Sequence, residues 1–140
     1  MTAAPTFSHP VRIYWEDTDA GGVVFYANYL KFFERARTEW LRALGLAQQQ
    51  LRDEQGLVFV VTDTQVRYVQ PARLDDSLTV TVALAKVARA TLSLAQSALR
   101  GSTLLADSRI TLACVEAATF HPRRLPHTLL DALASHSPPP

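Results

Sequence analysis

Residues Glu16–Gly45, EDTDAGGVVFYANYLKFFERARTEWLRALG, decide the fold, because the chain changes its periodicity inside this stretch. From about Ala27 to Leu44, apolar Tyr29, Phe33, Ala36, Trp40 and Leu44 recur at steps of three or four residues. Lys31, Glu34, Arg35, Glu39 and Arg42 take positions between them. That spacing predicts an amphipathic helix of about five turns. Asn28 reads as its N-cap, Gly45 as its stop, and Arg35 with Glu39 as an i,i+4 ion pair. Ahead of the helix, β-branched and aromatic Val11–Trp15 (VRIYW) predicts a first strand, which the turn-forming EDTDAGG ends.

Downstream, a shorter helix is expected over Ala47–Glu54, closed by Gly56, and the remainder reads as strand after strand. Leu57–Val69 is long and rich in β-branched residues, and Pro71 ends it. Leu78, Val80, Val82 and Leu84 alternate with Thr and Ala, and Thr91–Arg100 alternates small polar with apolar side chains. Gly101 and Ser102 reverse the chain into Thr103–Glu116. Four hairpin-connected strands make an antiparallel sheet, and the apolar stripe of the long helix must bury against it, so the expected class is α+β. Small residues and prolines at residues 1–10, and SHSPPP at the other end, suggest disordered tails at 1–10 and 131–140 around one domain, 11–130.

Composition narrows the function. At 140 residues the chain fits a single core, and 48% apolar with 19% charged residues is ordinary for a globular protein. Fourteen Lys and Arg against 13 acidic residues leave +1, too weak a field to argue for nucleic acid. A single cysteine, Cys114, excludes an internal disulfide and a thiolate-rich zinc site, and its place in an apolar alternation reads as small core. Met1–Pro10 lacks the charge and apolar run of a signal peptide, and no apolar stretch approaches 20 residues. A cytoplasmic protein without membrane insertion is expected.

Three carboxylates, two glycines and a helix start crowd into Glu16–Asn28. Gly21 and Gly22 allow a sharp turn and close approach to a ligand, and the first helical turn offers unpaired N–H groups at the positive end of the dipole. Such donors suit the oxyanion of acyl transfer, with the Asp19 carboxylate beside them as nucleophile or as base toward water. A thioester makes the task lightest, since its thiolate leaves with a pKa near ~8.5 and needs no strong acid. Glu16 and Asp17 read as orienting or surface groups. Asp17, Asp19 and Gly22 mimic the start of a calcium loop, but Gly21 and Asn28 stand where further ligands are required, so no metal is expected. Common nucleotide, zinc and serine-hydrolase motifs are missing, and His9, His121, His127 and His136 lie in the terminal regions.

YWEDTDAGGVVFYANYLKFFERARTEWLRALG closely resembles the opening of the 4-hydroxybenzoyl-CoA thioesterase-like hotdog proteins, especially the Tol-Pal-associated acyl-CoA thioesterases. RYVQPARLDDSLTV extends the likeness, which covers roughly Val11–Val115. The resemblance implies a curved antiparallel sheet wrapped around one long central helix, assembled as a homodimer or homotetramer, with no cofactor. It further implies hydrolysis of a short-chain or aromatic acyl-CoA, or of a thioester on acyl carrier protein. The family's catalytic aspartate, in its T-D-x-x-G element, falls on Asp19, and the amide that polarises the thioester carbonyl falls on or near Tyr26. Many Tol-Pal-associated members have histidine at that position; tyrosine instead resembles the 4-hydroxybenzoyl-CoA enzymes.

Asn28 is expected to fix the loop, and Val24, Phe25, Val60 and Thr62 to line an acyl pocket at the subunit interface. Lys86 and Arg89, in the turn between long strands, resemble the family's CoA-phosphate ligands, with Arg123 and Arg124 as further candidates. Two rivals stand beside this reading. A hotdog hydratase needs a histidine paired with an acid, and no histidine is near Asp19 in sequence. A module that binds acyl-CoA or acyl carrier protein without turnover needs neither.

Overall fold

A computed structural model describes residues 6–136. Its elements run β1 (Phe7–Arg12), a 3-10 turn (Trp15–Asp17), α1 (Asn28–Ala43), α2 (Gln48–Gln55), β2 (Leu57–Tyr68), β3 (Ser77–Val87), β4 (Thr91–Arg100), β5 (Thr103–Glu116) and α3 (His127–His136). The strands form one sheet in the order β1-β3-β4-β5-β2, and every pairing is antiparallel.

Helix α1 forms as its stripe dictates, burying Tyr29, Phe33, Ala36 and Trp40, and adds Phe32, Arg37 and Leu41 on the flanks of that stripe. The sheet answers with Leu78, Val80 and Val82 from β3, Leu92 and Leu94 from β4, and Ile110, Leu112 and Cys114 from β5, all buried on the face toward α1. Register shifts interrupt the pairings at Val61/Asp63, Leu84/Lys86 and Ala98/Leu99. Each such irregularity bends and twists its strand, which is how a sheet curves around a helix. This is the hotdog arrangement. A polar chain sits in the core: the Arg37 guanidinium donates to Gln96 Oε1 at 3.0 Å, and the Gln96 amide donates to the Phe33 carbonyl at 3.0 Å. Burial lowers the Arg37 pKa, against an opposing pull from Glu34.

Six expectations need correction. The first strand is Phe7–Arg12, and Trp15 belongs to the following turn. Pro10 is tolerated because β1 is an edge strand, where a missing N–H costs no ladder bond. Residues 6–10 are therefore part of the domain, while 1–5 lie outside the described residues. At the other end, Leu125, Leu129 and Leu133, four residues apart, are buried, so α3 carries the domain past 130 to His136; residues 137–140 lie outside the described residues.

The four late strands are not all joined by hairpins. Residues 69–76 cross from β2, which pairs with β5 at the edge of the sheet, to β3, which lies between β1 and β4. Asn28 is the first helical residue rather than the cap, because Ala27 already has helical backbone and occupies the cap position. Glu39 pairs with Arg42, whereas the Arg35 guanidinium carbon lies 5.9 Å from the Phe32 ring centre.

Candidate active site

The loop between β1 and α1 is built on its own backbone. Asp17 closes the 3-10 turn, its carboxylate accepting from the Tyr14 amide at 2.8 Å. Its carbonyl accepts from the Phe25 amide and from the Asn28 side chain, both at 2.9 Å. The Asn28 side chain thus ties the start of α1 to the Asp17 backbone, and the Asp17 carboxylate is engaged by the backbone of its own turn. Glu16 is exposed. A bridge between Thr18 and Val24 closes the base of a tight turn, with the Asp19 amide donating to the Val23 carbonyl at 2.9 Å. Gly22 has φ +78°, a conformation that a side chain would strain. A Cβ on Gly21 would stand 3.2 Å from Asp19 Oδ1, the oxygen that accepts the Gly21 amide at 2.8 Å. The second Asp19 oxygen has no hydrogen-bond partner among the described residues, and the residue is exposed.

Phe25–Asn28 forms the next turn, the Asn28 amide donating to the Phe25 carbonyl at 2.9 Å. The two central amides of this turn, those of Tyr26 and Ala27, have no partner among the described residues. These donors open α1, whose dipole puts partial positive charge at the same place. Both turns hang on the short ladder from Asp17 to Phe25, so a carboxylate oxygen and unpaired amides share one loop.

Behind the loop, residues 69–76 act as a template. The Val24 amide donates to the Ala72 carbonyl at 2.8 Å, and the Ala72 amide donates to the Tyr29 hydroxyl at 3.2 Å. Arg100 holds this segment by donating to the Asp76 carboxylate at 2.8 Å and the Pro71 carbonyl at 3.3 Å. Burial alone would raise the Asp76 pKa; bonds from the Arg73 amide and Arg100 outweigh it and hold the carboxyl below its ordinary value.

Aromatic rings line the mouth. Tyr26 lies 5.0 Å from Phe25 and 6.1 Å, edge-on, from Tyr68; Tyr68 in turn lies 5.4 Å from Tyr29. Val24, Tyr26, Tyr29, Tyr68 and Pro71 border a cleft of about 260 Å³. Burial raises the pKa of Tyr29 and of Tyr68, so both phenols remain protonated and able to donate.

The expected acyl-pocket residues divide. Val24 is on the cleft and Phe25 is exposed beside it. Val60 and Thr62 are elsewhere: Val60 pairs with Ala113 on the sheet face away from α1, and Thr62 sits at the register shift. Phe59 and Val61 instead face the helix, bordering a hollow of about 210 Å³ with Glu34, Arg37 and Leu112. The alternation of β2 was legible but its phase was not, since all four residues are apolar or β-branched. Arg89 meets Arg123, Arg124 and His127 around a cleft of about 860 Å³ that also touches Leu57. Lys86 is exposed on β3 and does not line that cleft. Two residues that sequence reasoning missed are Tyr68, which ends an apolar strand without any motif, and His127, which reads as solvated.

Among the described residues no helix is long and apolar enough to cross a membrane. The chain is 47% identical over 120 residues to an acyl-CoA thioesterase YbgC of Haemophilus influenzae, covering 86% of this chain and 88% of that protein. It is 42% identical over 125 residues to an acyl-CoA thioester hydrolase YbgC of Escherichia coli, covering 89% and 92%. A probable thioesterase from Bartonella henselae, of known crystal structure, superposes with a TM-score of 0.83 at 33% identity, covering 87% of this chain and all of that one. Residues 13–133 match the thioesterase-like superfamily, and with relatives this similar over most of its length the chain belongs to that family.

Proposed function

We propose that the chain hydrolyses the thioester of a short-chain or aromatic acyl-CoA, in a site that two protomers share. The observation that carries this reading is the juxtaposition in one loop of Asp19, with a free carboxylate oxygen, and the unpaired amides of Tyr26 and Ala27. The names of the relatives, acyl-CoA thioesterase and thioester hydrolase, support the substrate class. In the reaction the amides receive the carbonyl oxygen, and Asp19 attacks the carbonyl carbon or takes a proton from the water that does. The tetrahedral oxyanion then expels the CoA thiolate, which leaves without a strong acid. Where Asp19 is the nucleophile, water then cleaves the acyl-aspartyl anhydride, releasing the acid and restoring the carboxylate. The Tyr26 side chain serves as a wall; its amide serves as a donor.

The shared site follows from β2. This strand of 12 residues is an edge of the sheet, and Val61 and Tyr68 on it are about half exposed. Long unprotected edges invite pairing, and a two-fold axis makes the pairing of identical edges antiparallel. Leu57 and Tyr68 are eleven residues apart along β2, about 36 Å at roughly 3.3 Å per residue. Antiparallel pairing removes that separation by bringing the partner's Leu57 end, with its arginine cleft, alongside Tyr68. Arg89, Arg123 and Arg124 of one protomer then meet the CoA phosphates while Asp19 of the other meets the thioester; Lys86 remains at the margin. Phe59 and Val61, in place of Val60 and Thr62, contribute the acyl wall from across the interface. A homodimer is the smallest active unit, a homotetramer its further assembly, and the cytoplasm, where CoA and acyl carrier protein occur, its compartment.

Thiol release from a panel of short, long and aromatic acyl-CoAs tests the function. Turnover of short-chain or aromatic members is expected. Tight binding of acyl-CoA with no release by the wild type would support the non-catalytic module instead.

A further inference from the structure

We infer that Tyr68 is a positioning residue for the oxyanion donors, locking the central peptide of the Phe25–Asn28 turn through its hydroxyl. This inference rests on the hydrolytic reading of the loop. The Tyr68 hydroxyl donates to the Tyr26 carbonyl at 2.8 Å, bridging the end of β2 to the start of α1. Tyr26 C=O and Ala27 N–H belong to one peptide unit, so a bond that fixes the oxygen also fixes the direction of the N–H on the opposite side. It strengthens that N–H as well, since bonds in a chain polarise one another.

The central peptide is the part of a four-residue turn free to rotate, and its rotation interconverts turn types. Ala27, at φ −71° and ψ −20°, opposes a full flip because the flipped form requires positive φ. The Tyr68 bond restrains the remaining swing. The Tyr68 ring is itself held edge-on by Tyr26 and by Tyr29, which the Ala72 amide anchors in turn. Its proton is spent on the Tyr26 carbonyl, which makes Tyr68 an aligner of the amides rather than an acid toward the leaving group.

Tyr68→Phe keeps the ring and both edge-on contacts and removes only the hydroxyl. Its kcat with a benzoyl-CoA is expected to fall about tenfold, as for loss of one net hydrogen bond from the transition state, with KM within about twofold of the wild type. Because the oxyanion is then less well held, the rate should respond more steeply to electron-withdrawing para substituents on the benzoyl group. In NMR spectra the Ala27 amide proton should move upfield while amides in β4 stay in place. Unchanged kcat, or a raised KM at unchanged kcat, overturns the inference. A wild type that hydrolyses no acyl-CoA overturns the hydrolytic reading and this inference with it, whereas an active wild type beside a fully active Tyr68→Phe variant overturns this inference alone.

Discussion

Asp19→Asn is expected to lower kcat for acyl-CoA hydrolysis by about 10³-fold or more, in the range that loss of a nucleophile or general base produces, with the melting temperature unchanged. The two halves of this expectation have separate causes. Asp19 is exposed, and among the described residues its carboxylate accepts one bond, from the Gly21 amide. An asparagine Oδ1 accepts the same bond, so the turn and the Gly22 conformation survive. What disappears is the carboxylate charge, and an amide neither attacks a thioester nor deprotonates water. Circular dichroism and thermal melts beside a thiol-release assay separate the two effects. Normal turnover in the variant would remove Asp19 from the chemistry.

Phe33→Ala should be the most damaging of single core changes, costing about 3–5 kcal/mol. Phe33 is fully buried, and its own carbonyl accepts the bond from the buried Gln96 side chain. Truncation leaves a cavity in the core beneath α1, which the surrounding side chains relax to fill only in part. A typical domain has only about 5–15 kcal/mol to lose. Urea titration measures the difference directly, and a loss under about 1 kcal/mol would mean that α1 is not the centre of the core.

Much of this architecture is written in local pattern. The stripe Tyr29, Phe33, Ala36, Trp40 has one solution, a helix with a buried face, and α1 follows it. Strands β4 and β5 begin and end where the alternation and the Gly101–Ser102 reversal require. Longer-range choices leave weaker marks. Nothing local states that β2 pairs with β5 while β3 pairs with β1, because that arrangement is decided by which faces cover α1. Pro10 looks like a breaker until its strand is known to be an edge, and Leu133 looks like tail until a surface exists for it to cover.

The candidate site was partly legible for the same reason. Asp19, the glycines and the helix start are contiguous, so sequence brings them together, and the Asn28 tether to the Asp17 carbonyl is local as well. Tyr68 reaches the loop from 42 residues away, and His127 joins Arg89 only through the fold. In the run Phe59, Val60, Val61, hydrophobicity cannot tell inside from outside, and only the pairing with β5 sets the phase.

Mixed dimers test the shared site most directly. Asp19→Asn and Arg89→Ala/Arg124→Ala chains, each nearly inactive alone, are co-expressed with different tags, and the heterodimer carrying both tags is isolated. Pairing across β2 puts both defects in one site and leaves the other intact. Thiol release at about half the wild-type rate per dimer is therefore the expected result. A heterodimer as inactive as its parents would contradict the division of one site between two protomers.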